Sequence, residues 1–354
     1  MKILNTAIAG FGLSGSTFHA PLLSNLEGFH LKYFCSSNIK KVKNLFPQGE
    51  VFAEFSELCA LRDLDLVIIT SPNANHYEMA KKALLSGLHV IIDKPFVTSF
   101  AQGKELISIA QKKELFLSVF HNRRWDNAFL TFQKCRQENL LKDIHLYESY
   151  FDRYRPIVNK NKWKEQELEG SGLLYDLGSH LIDQVLVTLG MPTEIFADLQ
   201  IQRENAKVAD YFNIILKYDR ARAIIGASNL TVTPRPMLSV QGIDSHFVKY
   251  GLDPQEQALG LIAKGEKLNM ETWGTEPANN SSQLTVIKQE KHQTLNIATV
   301  PGHYFSYYQQ VYQAIVNGKF NPVPATEALQ VIYLIELALE SNKQKQWIQV
   351  DFKN

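Results

Sequence analysis

Cysteine is scarce in this chain. Cys35, Cys59 and Cys135 stand far apart and are odd in number. They make neither a zinc spacing nor a disulfide framework, and no metal site is expected. That pattern suits a reducing cytosol, so a cytoplasmic protein is expected. An excess of either charge is also missing. Lys plus Arg total 37 against 36 Asp plus Glu, a net charge of +1. Binders of nucleic acid or other polyanions show a basic excess, so no nucleic-acid partner is expected. Long apolar runs are lacking too. None approaches the ~20 residues that cross a bilayer, so no membrane span is expected. The opening "MKILNTAIAGFG" reaches glycine too early for a secretory leader. Internal repeats and low-complexity stretches are missing as well. What is left is a chain of 354 residues with an ordinary hydrophobic fraction of 45%. Its length is enough for about two globular domains.

Two rhythms run along it. From residue 3 to about 120, short apolar runs alternate with helical stretches. Ile3–Ala9 leads into glycines, His30–Cys35 into "NIKKVKNLF", and Leu66–Thr70 into "NHYEMAKKALLSG". His89–Ile92 leads into "SFAQGKELISIAQKKE", and Leu115–Phe120 closes the series. Alternating β and α units predict a doubly wound parallel sheet, a Rossmann domain of the α/β class. After "NRRW" the rhythm changes. A helix is expected at about 126–141 and a long alternating strand over Ile144–Tyr154. Between about 195 and 295, "EIFADLQIQ", "YFNIILKY", "ARAIIGASNL" and "MLSVQGI" follow one another mostly without helices. That predicts a C-terminal α/β domain with a large, mostly antiparallel open sheet. A strongly apolar helix is expected at about 325–342. The expected division is a dinucleotide-binding domain over 1–121 and a substrate-binding and oligomerising domain over 122–354. The last helix is a candidate to pack back on the first domain.

"GFGLSG" sets Gly10, Gly12 and Gly15 between a strand and a helix. In such a loop the first Gly makes the tight turn and the second lets the backbone approach a pyrophosphate. The third lets helix and strand pack closely. Phe11 and Ser14 belong to the same loop. "TSPNANH", residues 70–76, ends another strand. Ligands of a doubly wound sheet sit beyond the carboxyl ends of its strands, so Ser71, Pro72, Asn73 and His76 are candidate cofactor contacts. The alternative for this stretch is a Pro–Asn turn with Asn75 capping the next helix. Asp93 and Lys94, after the neighbouring strand, and Asn122, after the last strand of the series, complete the cofactor candidates on that edge.

"HVIIDKPF", residues 89–96, ends a buried strand on two adjacent charges. A charge there is costly without a partner or a task. Lys94 precedes a proline and is held extended. Aimed over the cofactor edge, it could polarise a reacting oxygen. The alternative is a solvated charge closing a strand. A cis Lys94–Pro95 peptide is expected: X–Pro bonds carry only a small trans preference, and a cis bond would re-aim the lysine sharply at the strand end.

"EGSGLLYDLGSHLIDQVLVTLG", residues 169–190, predicts a helix that stops at Gly190. At 3.6 residues per turn Asp176, His180, Asp183 and Val187 share one face. Leu174, Leu177, Leu181, Val185 and Leu189 share the other. An Asp four residues before a His can orient or charge-stabilise the imidazole, as an acid–base pair requires. A wet face of an amphipathic helix would look the same.

Cofactor choice has its own signal. NAD-specific Rossmann domains usually carry an acid about 20 residues past the glycines. Here the second strand ends "YFCSSNIKK", with Ser36 in that place and no carboxylate before Glu50. Ser36 and Ser37 can donate to a 2′-phosphate, and Lys41, with Lys40 beside it, could add positive charge. NADP(H) is therefore favoured over NAD(H). The alternative is that the missing acid only relaxes selectivity. The extended runs of the second domain carry apolar residues on both faces, as in "NIILKY" and "AIIGAS". A homodimer or homotetramer through that sheet is expected.

Taken in order, GFGLSG, SPNANH, DKPF and GSG-x-x-x-D-x-x-x-H resemble the Gfo/Idh/MocA family, which holds glucose–fructose oxidoreductase, inositol dehydrogenases and their relatives. The resemblance covers the whole chain. "GSTFHAPL", "SVFHNRRWD", "FDRYRP" and "VKYGLDPQE" look like its branch of NADP-dependent scyllo-inositol dehydrogenases and YdgJ-like proteins. The resemblance implies a Rossmann domain followed by an α/β domain on a large open sheet. The family's Glu-Lys-Pro lysine falls on Lys94, with Asp93 in place of the usual Glu. Its Asp and His fall on Asp176 and His180. The implied chemistry is reversible hydride transfer between C4 of the nicotinamide and a carbinol carbon of a cyclic polyol or sugar. His180 would take the hydroxyl proton, Asp176 would stabilise the imidazolium, and Lys94 would hold the reacting oxygen, the three meeting over the nicotinamide. Arg124, Asp152, Tyr154, Trp163 and Asp183 are candidates for substrate hydroxyls and the pocket wall. Two rival functions share the fold: a dinucleotide-binding regulator without catalysis, and a glycosidase that cycles NAD without net oxidation.

Overall fold

The apolar runs of the first 120 residues become six strands: β1 Leu4–Ala9, β2 Phe29–Cys35, β3 Glu50–Phe52, β4 Leu66–Ile69, β5 His89–Asp93 and β6 Leu117–Phe120. All neighbours are parallel, in the order β3-β2-β1-β4-β5-β6. The computed structural model describes residues 2–277 and 280–352. It divides into two compact units. The first runs to Asn122 and adds Gln255–Met270 and Tyr304–Leu329, and the second holds Arg123–Pro254, Glu271–His303 and the chain from Gln330.

In the first unit the central strands are buried on both faces. Every residue of β4 is fully buried, as are Val90, Ile91 and Ile92 of β5. That is why they read as unbroken apolar runs. Strand order reverses between β1 and β4, which opens a crevice at their carboxyl ends. Asn38 caps the helix Ile39–Leu45, accepting from the Lys41 backbone N–H at 2.9 Å. Ser99 caps Phe100–Lys112 in the same way. The cap expected of Asn75 on the helix His76–Leu85 does not form: its side chain makes no cap bond, because a 3₁₀ turn over Asn73–Asn75 leads into that helix instead.

Two later helices lie wholly in this unit, Gln255–Ile262 and Phe305–Asn317, and the helix Ala325–Gln344 begins in it. The second is packed through tyrosines. The Tyr307 hydroxyl donates to Ser118 Oγ at 2.9 Å, and the Tyr312 hydroxyl to the Lys2 carbonyl at 2.8 Å.

The second unit is built on β7 Leu146–Tyr150, β8 Glu194–Gln200, β9 Tyr211–Lys217, β10 Arg222–Ser228, β11 Leu238–Gln241, β12 Ser245–Lys249, β13 Ser282–Lys288, β14 Lys291–Ile297 and β15 Ile348–Gln349. They form one sheet in the order β14-β13-β12-β11-β7-β10-β9-β8-β15. Only β7 and β10 run parallel to each other. The mostly antiparallel sheet thus follows the alternation seen in the sequence. The helix expected near 126–141 is Asn127–Gln137. One face of the sheet is core: Ile195, Ala197, Phe212, Ile214, Leu216, Ala223, Ile225 and Tyr147 are buried. The helix Ser179–Leu189 packs on β7 and β10 from that side. The other face is half-exposed and carries a row across three strands, Phe196 opposite Ile215 opposite Ile224.

Candidate functional site

In the first unit the three glycines do three different things. Gly10 has φ +99°, and a Cβ there would stand 2.7 Å from the Ser71 nitrogen. A Cβ on Gly15 would collide with the Gly10 carbonyl oxygen and lie 2.8 Å from Thr70 Oγ1. Gly12 instead faces open space, with nothing within 4 Å of the position a Cβ would take. The flanking glycines close the turn and the middle one leaves room for a ligand at the backbone, which fits a pyrophosphate. The Thr70 hydroxyl donates to the Gly10 carbonyl and ties the loop to the end of β4. The helix that follows opens with a π turn, Gly15–His19, before Ala20–Ser24.

Around this loop the predicted contacts sort themselves. Ser14 and Ser71 are partly exposed, Pro72 is exposed, and Asn73 and Asn122 are largely buried at strand ends. Phe11 turns inward: its ring packs edge-on against Phe34 at 5.2 Å, so only its backbone can line the loop. His76 is a correction. It is fully buried, with Nδ1 2.9 Å from the Pro95 carbonyl and Nε2 3.0 Å from that of Ser71. It braces two loops of the cofactor edge and does not face the crevice. Its burial pushes the imidazole below its ordinary pKa.

At the end of β2, Ser36 Oγ accepts from the Asn38 backbone N–H at 3.1 Å, and Ser37 is exposed. The Lys41 ammonium lies against the glycine loop. It donates to the Phe11 carbonyl at 3.1 Å, the Gly12 carbonyl at 3.0 Å and Ser16 Oγ at 2.9 Å. Partial burial lowers its pKa from the ordinary lysine value. A neighbouring anion would offset that cost.

Asp93 and Lys94 end β5 on the same edge of the sheet. The Lys94–Pro95 peptide is cis, as the sequence predicts. Ser14 donates to Asp93 Oδ2 at 2.5 Å. On the other side His19 Nε2 stands 3.8 Å from Asp93 Oδ1, and its Nδ1 is 2.6 Å from the Tyr308 hydroxyl. With that hydroxyl donating to Nδ1, the ring N–H points at Asp93. Burial by itself would raise the Asp93 carboxyl. The facing His19, with Lys94 and Ser14, outweighs it and holds the pKa below the usual carboxylate value. The charge pair closing the strand is therefore partnered, and Lys94 is half-buried beside it.

In the second unit, Asp176 and His180 lie on consecutive turns, but not on one regular helix. A π turn covers Leu174–Gly178 and the α-helix begins at Ser179. The 3.6-residue spacing expected from the sequence is thus widened between them. Gly178 allows it: a Cβ there would lie 2.7 Å from Leu174 Cδ1. His180 is 4% exposed and Asp183 2%, so the middle of this face is not wet, whereas Val187 at its end is exposed and Asp176 half-buried. Asp183 is held bidentate by Arg124, at 2.9 Å from Nε and 2.7 Å from a terminal nitrogen. Two expected substrate contacts are thus bonded to each other. Asp152 is a second correction. Both its oxygens are taken by Arg235, at 2.7 and 2.8 Å, and its side chain is fully buried, so it anchors a loop and leaves no carboxylate for substrate. Tyr154 is exposed and Trp163 half-buried.

Three residues of these arrangements are not among the sequence candidates. His19 and Tyr308 form the buried side of Asp93. Tyr308 sits in an aromatic stripe, Tyr304, Phe305, Tyr308 and Tyr312, whose helical spacing marks a buried face. Lys164 donates to Asp176 Oδ1 at 2.6 Å from a short loop turn, where no periodicity points to it.

A dinucleotide fold with a lysine at the strand end beside its glycine loop is the pattern of the nicotinamide-dependent oxidoreductases. The comparisons agree. Residues 4–121 match the oxidoreductase family's NAD-binding Rossmann fold, and residues 136–350 its C-terminal alpha/beta domain. The chain belongs to the Gfo/Idh/MocA family. It is 39% identical over 348 residues to scyllo-inositol 2-dehydrogenase (NADP(+)) IolW of Bacillus subtilis, covering 98% of this chain and 96% of that one. It is 40% identical over 342 residues to the oxidoreductase YdgJ of Escherichia coli, covering 97% of each. Among solved structures, the oxidoreductase YvaA of Bacillus subtilis superposes with a TM-score of 0.95 at 39% identity, over 99% of each chain. Among the described residues, no helix is long and apolar enough to cross a membrane.

Proposed function

We propose that this protein is an NAD(P)-dependent dehydrogenase or reductase of secondary carbinols, acting on a cyclic polyol or sugar of the scyllo-inositol or inosose kind. The observation that carries this is the shared strand edge of the first unit. There the glycine loop after β1 and Lys94 after β5 are joined by the Ser14–Asp93 hydrogen bond. The loop from Gly10 to Gly15 would hold the pyrophosphate, with Ser71 and Asn73 beside it. A bound nicotinamide dinucleotide supplies or accepts the hydride. Lys94 donates to the reacting oxygen and stabilises the negative charge that grows there. His180 takes the hydroxyl proton in oxidation and returns it in reduction. Asp176 stabilises the imidazolium. Tyr154 and Trp163 form part of the substrate wall, and the Arg124–Asp183 pair stiffens the turn behind it. The name of IolW, a scyllo-inositol 2-dehydrogenase, supports the choice of polyol.

NADP(H) is the preferred cofactor in this proposal. No carboxylate stands at Ser36 or Ser37 to repel a 2′-phosphate, and the Lys41 ammonium is already seated at the loop. The half-exposed row Phe196, Ile215 and Ile224 is covered by a second copy of the chain, giving a homodimer or homotetramer. The free thiols of Cys35, Cys59 and Cys135 suit a cytoplasmic workplace. The experiment is a screen of inositols, inososes and aldoses with NADP⁺, NADPH, NAD⁺ and NADH, read at the nicotinamide absorbance. Release of an aryl glycoside without net change in nicotinamide would favour the glycosidase instead.

A further inference from the structure

Asp176 accepts a hydrogen bond from the Lys164 ammonium at 2.6 Å. A long lysine on an exposed turn ordinarily holds nothing firmly, because its own rotamer freedom opposes the pair. Here the turn itself is fixed. Lys164 lies in the 3₁₀ turn Trp163–Glu165. The next residue, Glu165, lies 3.3 Å from the guanidinium of Arg203 and accepts from the Asn159 backbone N–H at 3.0 Å. Arg203 is a buried post. Its side chain and that of Asp210 are each 2% exposed and bond at 2.8 Å, and it also donates to the Arg155 carbonyl at 3.1 Å. Lys164 meets Asp176 by a second route through the backbone. Its carbonyl accepts from the Gly172 N–H at 3.0 Å, and the Gly172 carbonyl accepts from the Asp176 N–H at 3.1 Å. Gly172 does this at φ +87°, where a side chain would be strained.

We propose that Lys164 is a positioning residue for Asp176. Anchored through Glu165 to Arg203, its ammonium fixes the carboxylate in the one orientation that serves His180. The inference rests on the reading of Asp176 and His180 as the acid–base pair. A carboxylate in a widened π turn has more than one rotamer open to it. The ammonium selects one, and a misplacement of about 1 Å can cost roughly 10²-fold in rate. A direct role on the substrate would show as weakened binding instead.

The test uses Lys164→Met and Lys164→Arg in the full-length protein, by crystal structure and by steady-state kinetics with NADP⁺ and scyllo-inositol. In Lys164→Met the Asp176 carboxylate should move by about 1 Å or more. The rate constant kcat should fall about 10²-fold, with KM changed by less than about threefold. In Lys164→Arg the guanidinium reaches the same carboxylate, so position and most of the rate return. A carboxylate that stays in place in Lys164→Met overturns the proposal, and so does an unchanged kcat. A rise in KM of about tenfold at constant kcat overturns it too, because it moves Lys164 onto the substrate. Asp176→Asn and His180→Ala test the underlying pair separately. If both keep full turnover, that reading fails on its own, while the crystal structures still decide what holds the carboxylate.

Discussion

Ser14 donates a hydrogen bond to Asp93 at 2.5 Å, which joins the glycine loop to the strand end bearing Lys94. The carboxylate also faces His19, so loop, strand and the Tyr308 helix meet at one partly buried charge. Its pKa lies below the ordinary carboxylate value because His19, Lys94 and Ser14 outweigh burial. A group depressed in the folded state stabilises that state above its unfolded pKa, near 3.9. The contribution is lost as pH falls through the lower folded value. Asp93→Asn should therefore cost about 1–3 kcal/mol at neutral pH. The gap to wild type should close at acid pH, below about 4. Urea unfolding at a series of pH values measures it, and a gap that ignores pH would show that the charge of Asp93 is not what stabilises.

Turnover should depend on Lys94 and His180 far more than cofactor binding does. Lys94→Ala and His180→Ala should each lose about 10²–10⁴-fold in kcat, the usual contribution of such groups. Dissociation constants for NADPH, followed by fluorescence titration, should stay within about threefold. Near-normal activity in either variant would remove that residue from the chemistry.

Cofactor preference should be written at the end of β2. Wild type should show the higher kcat/KM with NADP⁺, and Ser36→Asp should reverse the preference, since a carboxylate there repels the 2′-phosphate. Lys41→Ala should weaken NADP⁺ by about tenfold or more, with a smaller effect on NAD⁺. A wild type that prefers NAD⁺ would defeat this assignment.

The open face of the second unit's sheet should be an interface between copies. Sedimentation at micromolar concentration should find a dimer or tetramer. Ile215→Lys, in the centre of the Phe196–Ile215–Ile224 row, should weaken association by about tenfold or more. A wild-type monomer at that concentration would contradict it.

Much of this was legible in the residues, and what was not has physical reasons. Gly10, Gly12 and Gly15, Lys94 before its proline, and the apolar stripe of 174–189 are local patterns, so spacing alone exposes them. β3 is three residues long at a sheet edge and too short to register as a period. The π turns at Gly15–His19 and Leu174–Gly178 leave the apolar spacing almost untouched, so a regular helix was expected through both. The helix Phe305–Asn317 joins the first unit through its tyrosines, which meet Ser118, His19 and the Lys2 carbonyl and pack on Phe29 and Phe120. Such long-range partners are set by packing and have no nearby mark in the chain. Asp152 and His76 misled for the opposite reason. Polar residues beside a candidate site look like ligands until Arg235, or two carbonyls, are seen to occupy them.

The most direct test of the central claim is the initial rate of nicotinamide reduction with NADP⁺ and a panel of cyclic polyols, wild type beside His180→Ala. The account predicts reduction by wild type with at least one inositol or related ring polyol, and a rate lower by about 10²-fold or more in the variant. Contradiction would be a wild type that oxidises none of them and reduces no inosose or aldose with NADPH, or a His180→Ala variant that matches it.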